Sequence, residues 1–125
     1  MQFDWPYLFS LLTFADFWKA SLVVVQLSLL TWCSGVVLGM GIAFARRSRS
    51  RVLRKAAALY IWLFRSLPLL VLLIFIFNLP QMFPALQGVL GNPFVASAIA
   101  LILSETAYIA EIHRGGLIAV QKGQF

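Results

Sequence analysis

Polar positions are sparse along this chain and punctuate long apolar runs. Residues 20–45, ASLVVVQLSLLTWCSGVVLGMGIAFA, carry no charge over 26 positions. About 20 apolar residues suffice to cross the hydrocarbon core, so this run predicts a membrane-spanning helix. Within it Thr31, Gly35, Gly39 and Ala43 recur every four residues and share one face, where small side chains let a second helix come close. Close packing is preferred there over a ligand site. A second run, 56–77, is long enough to span but contains Arg65 and, three positions later, Pro68. Proline removes a backbone donor and clashes with the preceding turn, so a kink is expected near Phe64–Leu67. Residues 94–110 form a third span containing Glu105, with Ala96, Ala100 and Ser104 as a second small-residue stripe.

The connections are of three kinds. Residues 3–19 are rich in aromatics and hold only Asp4, Asp16 and Lys19 as charges, which predicts a helix lying on the membrane surface with Pro6 in its first turn. Residues 46–55 hold six of the ten basic residues, Arg46, Arg47, Arg49, Arg51, Arg54 and Lys55. Residues 78–93 are uncharged, contain three prolines, and read as a loop closing on Gly91-Asn92-Pro93. Lys and Arg in short loops resist translocation, so 46–55 is placed in the cytoplasm. The N-terminus and 78–93 then lie outside, and 111–125 lies inside.

Composition agrees. The chain is 62% hydrophobic and 11% charged, against about 25% charged in soluble domains, so it belongs to the membrane class. The net charge of +6 is concentrated in one loop, the pattern of a membrane protein and not of a face that binds nucleic acid. The start, MQFDWPYLF, lacks the basic region of a secretory signal, and no cleavage is expected. Cys33 is a single cysteine inside an apolar run and reads as a small filler. His113 is the only histidine and has no companions for a metal site.

The last stretch carries the most information. Ala107 to Gln124, AYIAEIHRGGLIAVQKGQ, resembles the segment before the coupling helix in permease subunits of polar amino-acid ABC importers. Tyr108, Glu111, Arg114, Gly115, Gly116, Val120, Gly123 and Gln124 fall on that family's pattern. FRSLPLLVLLIF, Phe64 to Phe75, is similar to a second family motif at Arg65, Pro68, Leu69, Leu70 and Val71, with Ser66 and Leu67 departing from its Gly-Thr. A third match lies in LSLLTWCSGVVLGMGIAFAR of the first span.

The resemblance implies an all-α membrane protein: an interfacial segment over 1–19, then the N-terminal part of a permease domain over 20–125. Its spans are 20–45, 56–77 and 94–110, and a coupling loop starts at 111–125, short of the coupling helix itself. It implies a non-enzymatic component of an ATP-driven importer in the bacterial inner membrane. This chain would bind no cofactor; ATP and magnesium would sit on separate cytoplasmic ATPase subunits. The further partners implied are a second permease subunit, an external amino-acid-binding protein and the lipid bilayer.

Three residues are candidates for the substrate path: Arg65, Glu105 and Tyr108. An arginine inside a span must be paired, snorkelling or facing water, and snorkelling and a packing or gating role are equally open for Arg65. Glu105 could face the path and attract a cationic amino acid; the preferred reading is a buried acid, neutral or paired with Arg65. Glu111 and Arg114, spaced i, i+3, should pair on one helix face. Gly115 and Gly116 should break the helix and give the turn that a following surface helix requires. Gly35, Gly39 and Pro68 are assigned to helix packing. A membrane hydrolase using Ser104, Glu105 or His113 lacks every expected motif. A small structural or pore-forming protein would explain the composition but not the ordered polar motif after Glu105.

Overall fold

The computed structural model describes residues 4–119, and no strand occurs among them. The helices are α1 (Trp5–Leu12), α2 (Ala15–Arg46), α3 (Arg51–Ser66), α4 (Leu69–Met82), α5 (Gln87–Leu90) and α6 (Pro93–Ala119), with a 3-10 turn at Pro84–Leu86. Two of these, α2 and α6, are long and apolar enough to cross a membrane, and α3 with α4 make a third candidate span broken in the middle.

The aromatic N-terminal segment is not one helix, as its composition suggests. Asp4 caps α1 by accepting from the Tyr7 backbone N–H at 3.3 Å, but the helix stops at Leu12. There the Thr13 hydroxyl donates to the Ser10 carbonyl at 2.7 Å, and the Trp18 indole donates to the Leu12 carbonyl at 2.8 Å. Side chains thus take over carbonyls that a continuing helix would have used. Residues 15–19 join α2, which at 32 residues is roughly 48 Å long.

The core lies where α2 meets α6. Thr31, Gly35, Gly39 and Ala43 are all buried, as their spacing predicts, and Gly35 and Gly39 lie against Glu105, Ile109 and Ala110 of α6. A Cβ at Gly39 would sit 2.9 Å from Ile109 Cγ2 and 3.0 Å from the Ala110 backbone nitrogen. Glycine is therefore required by close approach of two backbones. Elsewhere large apolar side chains face outward, Val24, Val37 and Leu70 among them, as lipid-facing positions should.

The second apolar run is broken, not kinked. Leu67 precedes a proline and is held in extended geometry (φ −86°, ψ 129°), and Pro68 follows at ψ 134°. Two successive non-helical residues turn α4 by 103° from α3. Leu72 and Ile76 of α4 then pack with Leu90, Ala96 and Ala100 in a second apolar cluster.

The connection over 78–93 is also more ordered than its prolines suggest. Helix α4 runs to Met82 with Pro80 buried inside it, and the 3-10 turn and α5 follow. Only Gly91-Asn92 remains as a turn. Asn92 Oδ1 then accepts from the backbone N–H of Phe94 (2.9 Å) and Val95 (3.4 Å), capping α6 with Pro93 at its first position.

Helix α6 corrects one expectation. Gly115 and Gly116 do not break it: the helix passes through both to Ala119, and neither has a left-handed φ. A glycine in a helix costs roughly 1 kcal/mol relative to alanine, and α6 carries that cost at both positions. The expected turn is absent at that point, and any turn beyond Ala119 lies outside the described residues, as do Val120, Gly123 and Gln124.

Candidate functional site

The break between α3 and α4 creates the polar site. A cavity of about 510 Å³ opens there, lined by Arg65, Ser66, Leu67, Pro68 and Leu69 from the break and by Ser104, Glu105 and Tyr108 from α6. All three substrate-path candidates, Arg65, Glu105 and Tyr108, thus meet at one cavity. Pro68 shapes it by ending α3. Ser66 Oγ donates to the Leu63 carbonyl at 2.9 Å, closing the last turn before the break.

Two contacts hold α3 to α6 beside this cavity. The Tyr60 hydroxyl donates to the Leu103 carbonyl at 2.8 Å, and the Arg65 guanidinium carbon lies 5.5 Å from the centre of the Tyr108 ring. A cation over an aromatic face at that distance is attracted by the ring quadrupole. The pairing of Arg65 with Glu105 envisaged from sequence is not formed. Among the described residues the ion pairs are Asp16–Lys19 and Glu111–Arg114. Glu105 is half-buried and reaches the cavity unpaired with Arg65. The site therefore offers a small polar ligand one cation, one carboxyl group and the hydroxyls of Ser66, Ser104 and Tyr108.

Glu105 also borders a second, mainly apolar cavity of about 590 Å³ between α2 and α6, with Val24, Leu27, Ser28, Thr31, Trp32 and Leu101. Its stem is set by Gly35, at which a Cβ would lie 3.0 Å from Glu105 Cγ. Gly35 and Gly39 thus pack the helices, as assigned, and Gly35 also makes room for the acid.

At the other end of α6, Arg114 Nε donates to Glu111 Oε1 at 2.8 Å, confirming the i, i+3 pair. The Arg47 guanidinium reaches across to the Leu117 carbonyl at 3.1 Å. Sequence reasoning missed this contact, and missed Ser66 and Ser104 as cavity residues. Ser104 could have been found: it stands next to Glu105 and four residues before Tyr108, which places all three around one stretch of α6. Arg47 could not, because nothing local pairs it with a position so distant. Among the described residues no three His, Cys, Asp or Glu side chains gather as a metal site would need.

Residues 35–125 match the family described as binding-protein-dependent transport system inner membrane component. The chain is 40% identical over 114 residues to the arginine transport system permease protein ArgU of Corynebacterium glutamicum, covering 84% of this chain and 36% of that protein. It is 36% identical over 107 residues to the putative glutamine transport system permease protein GlnP of Rickettsia conorii, covering 86% and 48%. Against the glutamine transport system permease protein GlnP of Escherichia coli it is 31% identical over 124 residues, covering 98% and 54%. The chain thus spans between about a third and just over half the length of these relatives. No solved structure matches it. With the family match running from the packed glycines of α2 through the α3–α4 break and along α6, this chain belongs to the binding-protein-dependent transport system inner membrane components.

Proposed function

We propose that the chain forms part of the translocation pathway of an ATP-driven amino-acid importer, receiving substrate from a binding protein and releasing it to the cytoplasm. The observation that carries this reading is the cavity at the α3–α4 break, where Arg65, Glu105 and three hydroxyls converge in a chain similar to arginine and glutamine permeases. An α-amino acid is a zwitterion. Arg65 can attract its carboxylate and Glu105 its ammonium, with the hydroxyls completing the hydrogen bonds.

In this reading, 46–55 and the end of α6 face the cytoplasm, and the N-terminus and 78–93 face outside. The aromatics of α1 and the start of α2 sit in the outer interface of a bacterial inner membrane. ATP and magnesium belong to separate ATPase subunits that dock on a coupling helix to which the coupling loop at 111–125, with Gly123 and Gln124, leads. A second permease subunit completes the pathway.

The test is uptake of labelled arginine and glutamine by cells producing the protein that contains this chain with its partners. Glu105→Gln should lower uptake at least tenfold while the protein still reaches the membrane. Unchanged uptake in that variant would remove the carboxyl group from the path.

A further inference from the structure

The α2–α3 elbow gathers positive charge that the rest of the chain does not answer. The four acids are Asp4, Asp16, Glu105 and Glu111, and none stands in 46–55. Arg51, Arg54 and Lys55 are exposed, and among the described residues none of them has an acidic side chain within ion-pair reach. They also stand at the wrong end of a helix. The N-terminus of α3 carries no acid in its first turn, and its dipole disfavours cations there. Among the described residues, Ser50 Oγ accepts from one first-turn donor, the Leu53 N–H at 3.4 Å. Arginines and open backbone donors at one helix start repel each other and together attract an anion.

The spacing says what kind of anion. Arg51, Arg54, Lys55 and Trp62 lie at i, i+3, i+4 and i+11, along one stripe of α3 that stops short of the cavity residue Arg65. Ala57 and Ile61 lie beside it, buried in the protein. On its other flank Val52, Leu59 and Leu63 are exposed, Val52 at 79%. Helix α3 therefore has three faces: one packed, one cationic and one apolar. A cationic stripe beside an open apolar face, starting where a 32-residue spanning helix ends, fits the boundary between lipid headgroups and acyl chains. An acidic protein surface would meet the charges but leave Val52 and Leu59 in water.

We propose that this stripe of α3 binds the phosphodiester headgroups of anionic lipids, with their acyl chains lying along Val52, Leu59 and Leu63. Arg54 is tethered at one nitrogen, its guanidinium donating to the Ser48 carbonyl at 3.3 Å, and its other nitrogens have no hydrogen-bond partner among the described residues. This site is separate from the cavity at the α3–α4 break, and it does not depend on which side of the membrane the elbow faces.

The test uses the 125-residue chain with Trp5, Trp18 and Trp32 changed to Phe, leaving Trp62 as reporter. In vesicles of equimolar phosphatidylcholine and phosphatidylglycerol, acyl-brominated phosphatidylglycerol should quench Trp62 roughly twofold or more strongly than equally brominated phosphatidylcholine. About 1 M salt, where the Debye length is roughly 3 Å, should erase the difference. Arg51→Gln, Arg54→Gln and Lys55→Gln together should also erase it while quenching by phosphatidylcholine persists; Arg46, Arg47 and Arg49 remain to orient the chain. Equal quenching by the two lipids in the unaltered stripe would overturn the proposal and assign the charges to an acidic protein partner. A preference that survives high salt would overturn it too, and that arm requires no change to the stripe.

Discussion

Arg47 Nη1 donates to the carbonyl oxygen of Leu117 at 3.1 Å, joining positions 70 apart in the chain. The bond ties the end of α2 to the last turn of α6, just past Gly115 and Gly116. A carbonyl near a helix C-terminus has no partner within the helix, and a cation there also meets the favourable end of the dipole.

Arg47→Ala should therefore loosen the end of α6 without unfolding the chain. The contact is exposed, so the loss is of the order of 0.5–1 kcal/mol. Amide hydrogen exchange at 115–119 should speed up by about twofold to fivefold, with 96–110 unchanged. Unaltered exchange at 115–119 would show that the bond does not order this end.

Gly39→Val should separate the two long helices. The valine would meet Ile109 and the backbone of Ala110, at a cost of about 1–3 kcal/mol or more, because backbone cannot step aside as a side chain can. Gly41→Ala is the matched control, since a Cβ there meets nothing within 4 Å. Disulfide trapping between cysteines placed at Thr31 and Leu101, which line one cavity between α2 and α6, in a Cys33→Ser background, should fall sharply in the first variant and stay unchanged in the second.

Gly115→Ala with Gly116→Ala should strengthen the helix, by about 1 kcal/mol per site, because both positions are helical and open. Helix content by circular dichroism should not fall, and exchange at 115–119 should slow. Faster exchange would restore the turn that the Gly-Gly pair first suggested.

How far the chain could be read from sequence differs from element to element. Thr31, Gly35, Gly39 and Ala43 announced their buried face because a four-residue spacing of small side chains means the same thing in any helix pair. Pro68 announced the break, although not that Leu67 would leave the helix with it and turn a kink into 103°. The end at Gly115-Gly116 was misread because glycine permits a turn without requiring one. The placement of Arg65 over Tyr108, not beside Glu105, depended on how α3 crosses α6, which no local pattern records. Arg65, Glu105 and Tyr108 were legible as polar residues of interest, but Ser66, Ser104 and the pairing inside the cavity were not.

Orientation is open to chemical labelling. With Cys33→Ser as background, Gln87→Cys should react with a membrane-impermeant thiol reagent added to intact cells, and Ser48→Cys should react only after the membrane is opened. The assignment rests on six basic residues in 46–55. The opposite pattern would invert every side assigned to the chain.

The central claim is that the cavity at the α3–α4 break carries an amino acid, and substrate protection at Ser104 tests it most directly. Ser104 lines that cavity and is buried against the rest of the protein, so a reagent can reach a cysteine there only through the space the substrate would fill. In the full-length protein with its partners, Ser104→Cys in a Cys33→Ser background should be labelled by a small thiol reagent and shielded at least threefold by the transported amino acid. Labelling at an equal rate with and without that amino acid, in cells that still take it up, would contradict the account.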